Sequence, residues 1–140
     1  MTYTYTKWDP NLATGHDIID NQHKQLITAV NELFEAHRSG KGPKAVERTM
    51  DFLVAYTIKH FSDEEKIQVK AEYPHYPVHK QIHDEFKGVA QDLAATLRRD
   101  GPTDEFISNV CVTIGRWVIN HIKSEDFIMA SHVNSREHNA

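Results

Sequence analysis

Three short breaks interrupt an otherwise helical pattern, and they limit what this chain can fold into more than any other feature. They are "SGKGP" at 39–43, "EYPHYP" at 72–77 and "RRDGP" at 98–102. Each uses one or both residue types that end helices. Glycine reaches left-handed backbone without strain, and proline removes a donor and pushes the residue before it out of helical geometry. Between the breaks, apolar residues recur at intervals of three and four. The first segment carries Ile19, Leu26, Ile27, Val30, Leu33 and Phe34, and the second Val46, Met50, Leu53 and Ile67. The third carries Ile82, Phe86, Val89, Ala90, Leu93 and Leu97, and the fourth Phe106, Ile107, Val110, Ile114, Trp117 and Val118. That period predicts four amphipathic helices. Asp17 or Asp20 suits the first turn of the first, Pro43 and Pro77 suit the starts of the second and third, and the fourth begins near Thr103. Short connections favour antiparallel neighbours, so the expected fold is all-α, an antiparallel up-down-up-down four-helix bundle. Residues 1–15 are expected as an extended N-terminal arm and residues 131–140 as a flexible tail, in one domain spanning 1–140.

Polar residues interrupt all four apolar stripes. His23 stands four residues after Ile19 and four before Ile27; His60 and Glu64 continue the second stripe; His79 and His83 lead the third; His121 closes the fourth. Residues four apart share a helix face, so each pair can serve one metal centre. A single histidine on such a stripe is more often a hydrogen-bonded core or boundary residue. Here every helix carries one and two helices carry pairs. Five imidazoles and a carboxylate buried without partners would cost several kcal/mol, at ~1–3 kcal/mol for each unpaired group. Metal coordination removes that cost.

The motifs "GHDIIDNQHKQL", "HFSDEE", "HKQIH" and "WVINHIKSED", in this order from about Trp8 to Asp126, resemble the hemerythrin family, most closely its small single-domain bacterial members. Carried over motif by motif, the resemblance implies metal ligands at His23, His60, Glu64, His79, His83, His121 and Asp126. The metal it implies is a pair of iron ions, oxo- or hydroxo-bridged and further bridged by the two carboxylates, with dioxygen as ligand. Donor counting fits that implication, because five histidines and two carboxylates exceed what one six-coordinate metal accepts. Two octahedral irons offer twelve positions: five for imidazoles, four for bridging carboxylates and two for a shared oxygen bridge. One position is left for a small end-on ligand. The expected function is reversible dioxygen binding, for storage or for delivery to oxygen-requiring enzymes, rather than catalysis. The expected oligomeric state is a monomer or weak homo-oligomer.

Periodicity disagrees with the resemblance at one ligand. Asp126 lies five residues after His121, about 140° around an ideal helix, whereas Glu125 has the better four-residue spacing. The family pattern, histidine then aspartate five residues on, favours Asp126 and requires a widened turn near the helix end. Asp63 and Glu65 are expected to point away from the site into solvent. His75 is separated from His79 by Pro77 and is set aside, while His16, His37, His132 and His138 read as surface histidines. Gln68, four residues after Glu64, replaces an apolar residue, commonly methionine, of the family, so a polar contact just outside the ligands is expected there. An oxygen pocket is expected from residues one turn from the ligands: Ile27, Phe86, Ile114, Trp117 and Val118. Each of these also suits ordinary bundle core.

Other readings fit less well. A carboxylate di-iron oxidase needs two Glu-x-x-His pairs on helices, and the only match, "EYPH", runs through Pro74. A zinc hydrolase of the HExxH type lacks its motif. An oxygen or redox sensor signalling to a partner, or chemistry on peroxide or nitric oxide at the same irons, remain the alternatives. Basic and acidic residues are interspersed, with 16 Lys+Arg against 20 Asp+Glu, so neither nucleic acid nor an anionic membrane is an expected partner. A single cysteine, Cys111, and an N-terminus without a secretory pattern point to the cytoplasm. Cys111 reads as a small buried residue.

Overall fold

The protein is described here from a computed structural model covering residues 3–138; Met1 and Thr2 of the arm and Asn139 and Ala140 of the tail lie outside the described residues. Four long helices form the body: α1 (Asp17–Arg38), α2 (Pro43–Lys70), α3 (Tyr76–Asp100) and α4 (Asp104–His121). A π-helical turn at Ile122–Asp126 leads into α5 (Phe127–His138), and a 3-10 turn, Pro10–Leu12, lies in the arm. No strand occurs among the described residues. The expected starts and stops follow the predicted chemistry. Thr103 caps α4 by accepting from Phe106 N at 3.0 Å, Pro43 opens α2, and Gly101 ends α3 with φ of 79°, which a residue with a Cβ adopts only under strain.

In the bundle α1 packs against α2 and α4, and α3 packs against α2 while meeting α4 where Phe86 stacks on Trp117 at 3.8 Å. Leu33, Leu53, Phe61, Leu97, Ile107 and Ile114 are each at most 1% exposed and fill the main core. A second, smaller apolar cluster of Ile19, Ala71, Tyr73, Met129 and Val133 closes the other end. The polar residues fall between the two: on α1, His23 separates Ile19 from Ile27, and on α2, Glu64 separates Phe61 from Ala71. The site is therefore sealed by apolar side chains above and below. Val89, read as part of the inner stripe, is instead 43% exposed.

Two terminal segments differ from expectation. The tail from residue 131 is helical as far as His138, because Met129, Ala130 and Val133 recur at helical spacing and are completely buried. His132 Nε2 also reaches the free carbonyl of Ala71 at 2.8 Å, at the end of α2. The arm is extended but pinned. Asn31 Oδ1 accepts from the Tyr3 hydroxyl at 2.5 Å and from Thr6 N at 3.0 Å, while Asn31 Nδ2 donates to Thr6 O at 2.7 Å. Gly115 makes room for this crossing, since a Cβ there would stand 2.9 Å from Thr6 Oγ1.

Candidate metal centre

Each helix of the body supplies part of one buried polar cluster. His23 comes from α1, His60 and Glu64 from α2, His79 and His83 from α3, and His121 from the end of α4; all are at most 5% exposed. Asp126 joins them at 0% exposed. The π-helical turn explains how: it widens one turn between His121 and Asp126, so the five-residue spacing brings Asp126 to the inner face while Glu125 stays half-buried.

The carboxylates are divided in the same way. Glu64 Oε1 faces His79 Nε2 at 3.1 Å and His83 Nε2 at 3.3 Å, while its Oε2 faces His60 Nε2 at 3.2 Å and His23 Nε2 at 3.7 Å. Asp126 Oδ1 faces His79 and His121 at 3.1 Å each, and Oδ2 faces His23 at 2.9 Å. Two overlapping groups result. Glu64, Asp126, His79, His83 and His121 form one, and Glu64, Asp126, His23 and His60 the other, each with one donor atom per residue within 4.8 Å of the rest.

These distances have the length of hydrogen bonds but not their directions. Both oxygens of Glu64 and of Asp126, and His23 Nε2, lack a hydrogen-bond partner despite being buried. Nε2 of His121 likewise stands 3.2 Å from that of His79 and 3.1 Å from that of His83, a crowding of ring nitrogens that one shared proton does not explain. Donors that converge on a common point account for all of it. Metal bonds of about 2.1 Å at right angles place neighbouring donor atoms about 3.0 Å apart, which matches the spacing seen. The residues present thus fit two metal ions in adjoining groups.

Electrostatics in the metal-free chain point the same way. Burial alone would lower the pKa of His23 and His79, but Asp126 and Glu64 more than offset it and hold both imidazoles up at about 9. His83 is also raised, by Glu64 and Glu65 against the effect of its burial. Glu64 and Asp126 would be pushed up by burial, and in Asp126 by the neighbouring Glu64 too; the surrounding histidines nevertheless hold both well below the ordinary carboxylate range. Two buried carboxylates are kept ionised, ready for cations to replace the protons on the imidazoles.

Aromatic rings fix the imidazoles. Phe61 lies flat on His83 at 3.9 Å, and Trp117 lies flat on His121 at 4.3 Å. A small cavity opens beside the two-histidine group, lined by His23, Leu26, His60, Phe61, Trp117, Val118, His121, Ile122 and Asp126, with about 10 Å³ of space for the centre of a water-sized sphere. That is room for one small molecule. Trp117 and Val118 of the expected pocket line it. Ile27, Phe86 and Ile114 do not; they belong to the main core, and Phe86 stands behind the lining, stacked on Trp117 at 3.8 Å and edge-on to Phe61 at 6.3 Å. Leu26, Phe61 and Ile122 line the cavity as well; Phe61 and Ile122 directly follow His60 and His121 in the chain, a spacing from which helical periodicity predicts no shared face, and Leu26 stands three residues after His23.

The residues around the ligands also correct the sequence reading. Glu65 does not point into solvent: its Oε2 accepts from His83 Nδ1 at 2.9 Å, because α3 passes α2 at that level. Gln22, not singled out from the sequence, accepts from His60 Nδ1 at 2.7 Å. Asp63 accepts from Gln22 Nε2 at 2.9 Å and from Lys59 Nζ at 2.7 Å. Gln68 is fully buried with neither amide atom partnered. His16 is buried rather than superficial, at 8% exposed; it precedes α1 and lies 3.3 Å from Glu137. His75 is exposed, as expected.

Comparison with known proteins agrees with this geometry. Residues 14–133 match the family model of the hemerythrin HHE cation binding domain. The bacteriohemerythrin of Stenotrophomonas maltophilia is 34% identical over 138 residues, covering 94% of this chain and 87% of that protein. The myohemerythrin of Sipunculus nudus is 32% identical over 120 residues, covering 86% of this chain and 87% of that one. A wild-type hemerythrin crystal structure superposes with a TM-score of 0.82 at 24% identity, over 93% of this chain and 98% of that one, which speaks for the fold. The chain belongs to the hemerythrin family.

Proposed function

We propose that the chain holds two iron ions between its helices and binds dioxygen reversibly, as a carrier that stores oxygen or delivers it to oxygen-requiring enzymes. One observation supports this most: Glu64 and Asp126 each present one oxygen to a three-histidine group and the other to a two-histidine group. In this reading His79, His83 and His121 hold one ion, His23 and His60 hold the other, and the carboxylates serve both. Two irons held by these residues would supply the electrons for reversible dioxygen binding.

The remaining work falls to the chain's own residues. The two-histidine group has one protein donor fewer, and both its histidines line the cavity, against His121 alone of the other three. Leu26, Phe61, Val118 and Ile122 make the wall apolar, which admits a small neutral molecule and excludes bulk water that would carry protons to it. Phe61 and Trp117 hold His83 and His121 in register through stacking. Asp126 and Glu64, ionised in the buried site, offset the charge of the cations without a counter-ion from solvent.

Iron content and the absorption spectrum of the reduced protein test the proposal. The expected result is two irons per chain and a visible absorption that appears on exposure to oxygen and disappears under argon through repeated cycles. One metal per chain, zinc in its place, or irreversible bleaching coupled to oxidation of a co-substrate would count against it.

A further inference from the structure

The two halves of the centre differ in a way that histidine number does not capture. On the three-histidine side, His83 Nδ1 faces the carboxylate of Glu65 at 2.9 Å, with Glu65 only 13% exposed. On the two-histidine side, His60 Nδ1 faces the side-chain oxygen of Gln22 at 2.7 Å. The Gln22 amide is not free to turn over. Its Nε2 donates to Asp63 Oδ2 at 2.9 Å, and Asp63 is held in turn by Lys59 at 2.7 Å. The amide oxygen must therefore point at His60. Since neither a carboxylate nor an amide oxygen can donate, both imidazoles carry their proton on Nδ1 and turn Nε2 to the metal. One imidazole is thus backed by a full negative charge and the other by a neutral dipole.

We infer that Glu65 and Gln22 are positioning residues that make the two metal ions electronically unequal, with the three-histidine ion the more easily oxidised. The inference rests on the two-iron reading above. A carboxylate accepting the Nδ1 proton makes the imidazole a stronger donor, and a stronger donor favours the more highly charged metal. Glu65 is nearly buried, so little solvent screens its charge. The Lys59–Asp63–Gln22 chain fixes the orientation of the neutral partner; the negative charge of Asp63 is matched by Lys59, and the Gln22 side chain stands between it and His60. Loss of the first electron is therefore favoured where Glu65 stands, and the ion beside the cavity keeps its electron longer.

The test uses the iron-loaded full chain, the isosteric variant Glu65→Gln and the reciprocal variant Gln22→Glu. Iron content comes first: fewer than two irons in the parent protein would defeat the two-iron reading itself. With two irons present, potentiometry should resolve two one-electron steps. Glu65→Gln should raise the lower midpoint and bring the two together; Gln22→Glu should lower the upper one and also bring them together. A purely structural role would move both midpoints equally or neither, and either outcome overturns the inference while leaving the two-iron reading intact. A second readout avoids iron: in the zinc-loaded protein, the proton resonance of His83 Nδ1 should lie further downfield than that of His60 and move upfield in Glu65→Gln. Equal resonances, or loss of two-metal binding in both variants, would also overturn it.

Discussion

Stripping the metal from this protein should cost a large part of its stability. Five buried atoms that face the centre, the four carboxylate oxygens of Glu64 and Asp126 and His23 Nε2, have no hydrogen-bond partner. At ~1–3 kcal/mol each, leaving them unmade would cost at least about 5 kcal/mol. Protonation of His23 and His79, whose pKa values rise to about 9 without metal, returns part of that by pairing each carboxylate with a cation. A net loss of roughly 3–6 kcal/mol remains, out of a total of about 5–15 kcal/mol for a domain. In a chain of this size that lowers Tm by roughly 10–20 °C. The assay is thermal unfolding followed by circular dichroism, before and after chelation, at matched protein concentration. The size of the gap should also depend on pH. His23 and His79 are raised above 6.5 in the folded metal-free state, so their stabilisation is complete below about pH 6.5 and is lost as pH rises through about 9. Glu64 and Asp126 are lowered, so theirs is present above their ordinary values of 4.5 and 3.8 and lost as pH falls below them. The metal-free protein should accordingly be most stable near pH 5–6 and weaken toward pH 9, where metal binding itself grows stronger as the imidazoles lose protons. A Tm unchanged within about 3 °C on chelation, or a gap that narrows from pH 6 to pH 9, would show that the five atoms are satisfied in some other way and refute the reasoning.

Three further outcomes are expected. Deleting Ser124, exposed within the π-helical turn, should restore α-helical winding and place Asp126 four residues after His121, about 40° from it; metal stoichiometry should survive, whereas Asp126→Ala should halve it or abolish binding, as metal analysis would show. Cys111 is completely buried and its pKa is pushed up to about 12 by that burial, so a thiol reagent at pH 8 should label it only at the rate of unfolding. Gly115→Ala brings a Cβ to 2.9 Å from Thr6 Oγ1, itself 3.1 Å from the Tyr3 hydroxyl; it should loosen the arm at a cost of about 1–3 kcal/mol, seen as faster proteolysis ahead of residue 10 with the bundle intact.

The sequence by itself determined the bundle and most of the cluster. Helical spacing puts His60 with Glu64 and His79 with His83 on shared faces, and the glycine and proline breaks fold those faces together; both are local effects, settled within one or two turns of chain. The winding around Asp126 was not legible that way, since spacing favoured Glu125 and only the fold's demand for an inward carboxylate justifies a π-helical turn. The tertiary structure alone decided which histidines share a metal group, because that depends on how α1, α2, α3 and α4 cross in space. It also decided that Glu65 backs His83, that Leu26, Phe61 and Ile122 wall the cavity, and that Ile27, Phe86 and Ile114 do not. Val133 is buried for the same reason: its helical spacing from Met129 and Ala130 gives it a face, but its partners Ile19, Ala71 and Tyr73 are distant in sequence and only the fold brings them to it. Residue type and spacing fix which side chains share a face, whereas the crossing of helices fixes what each face meets.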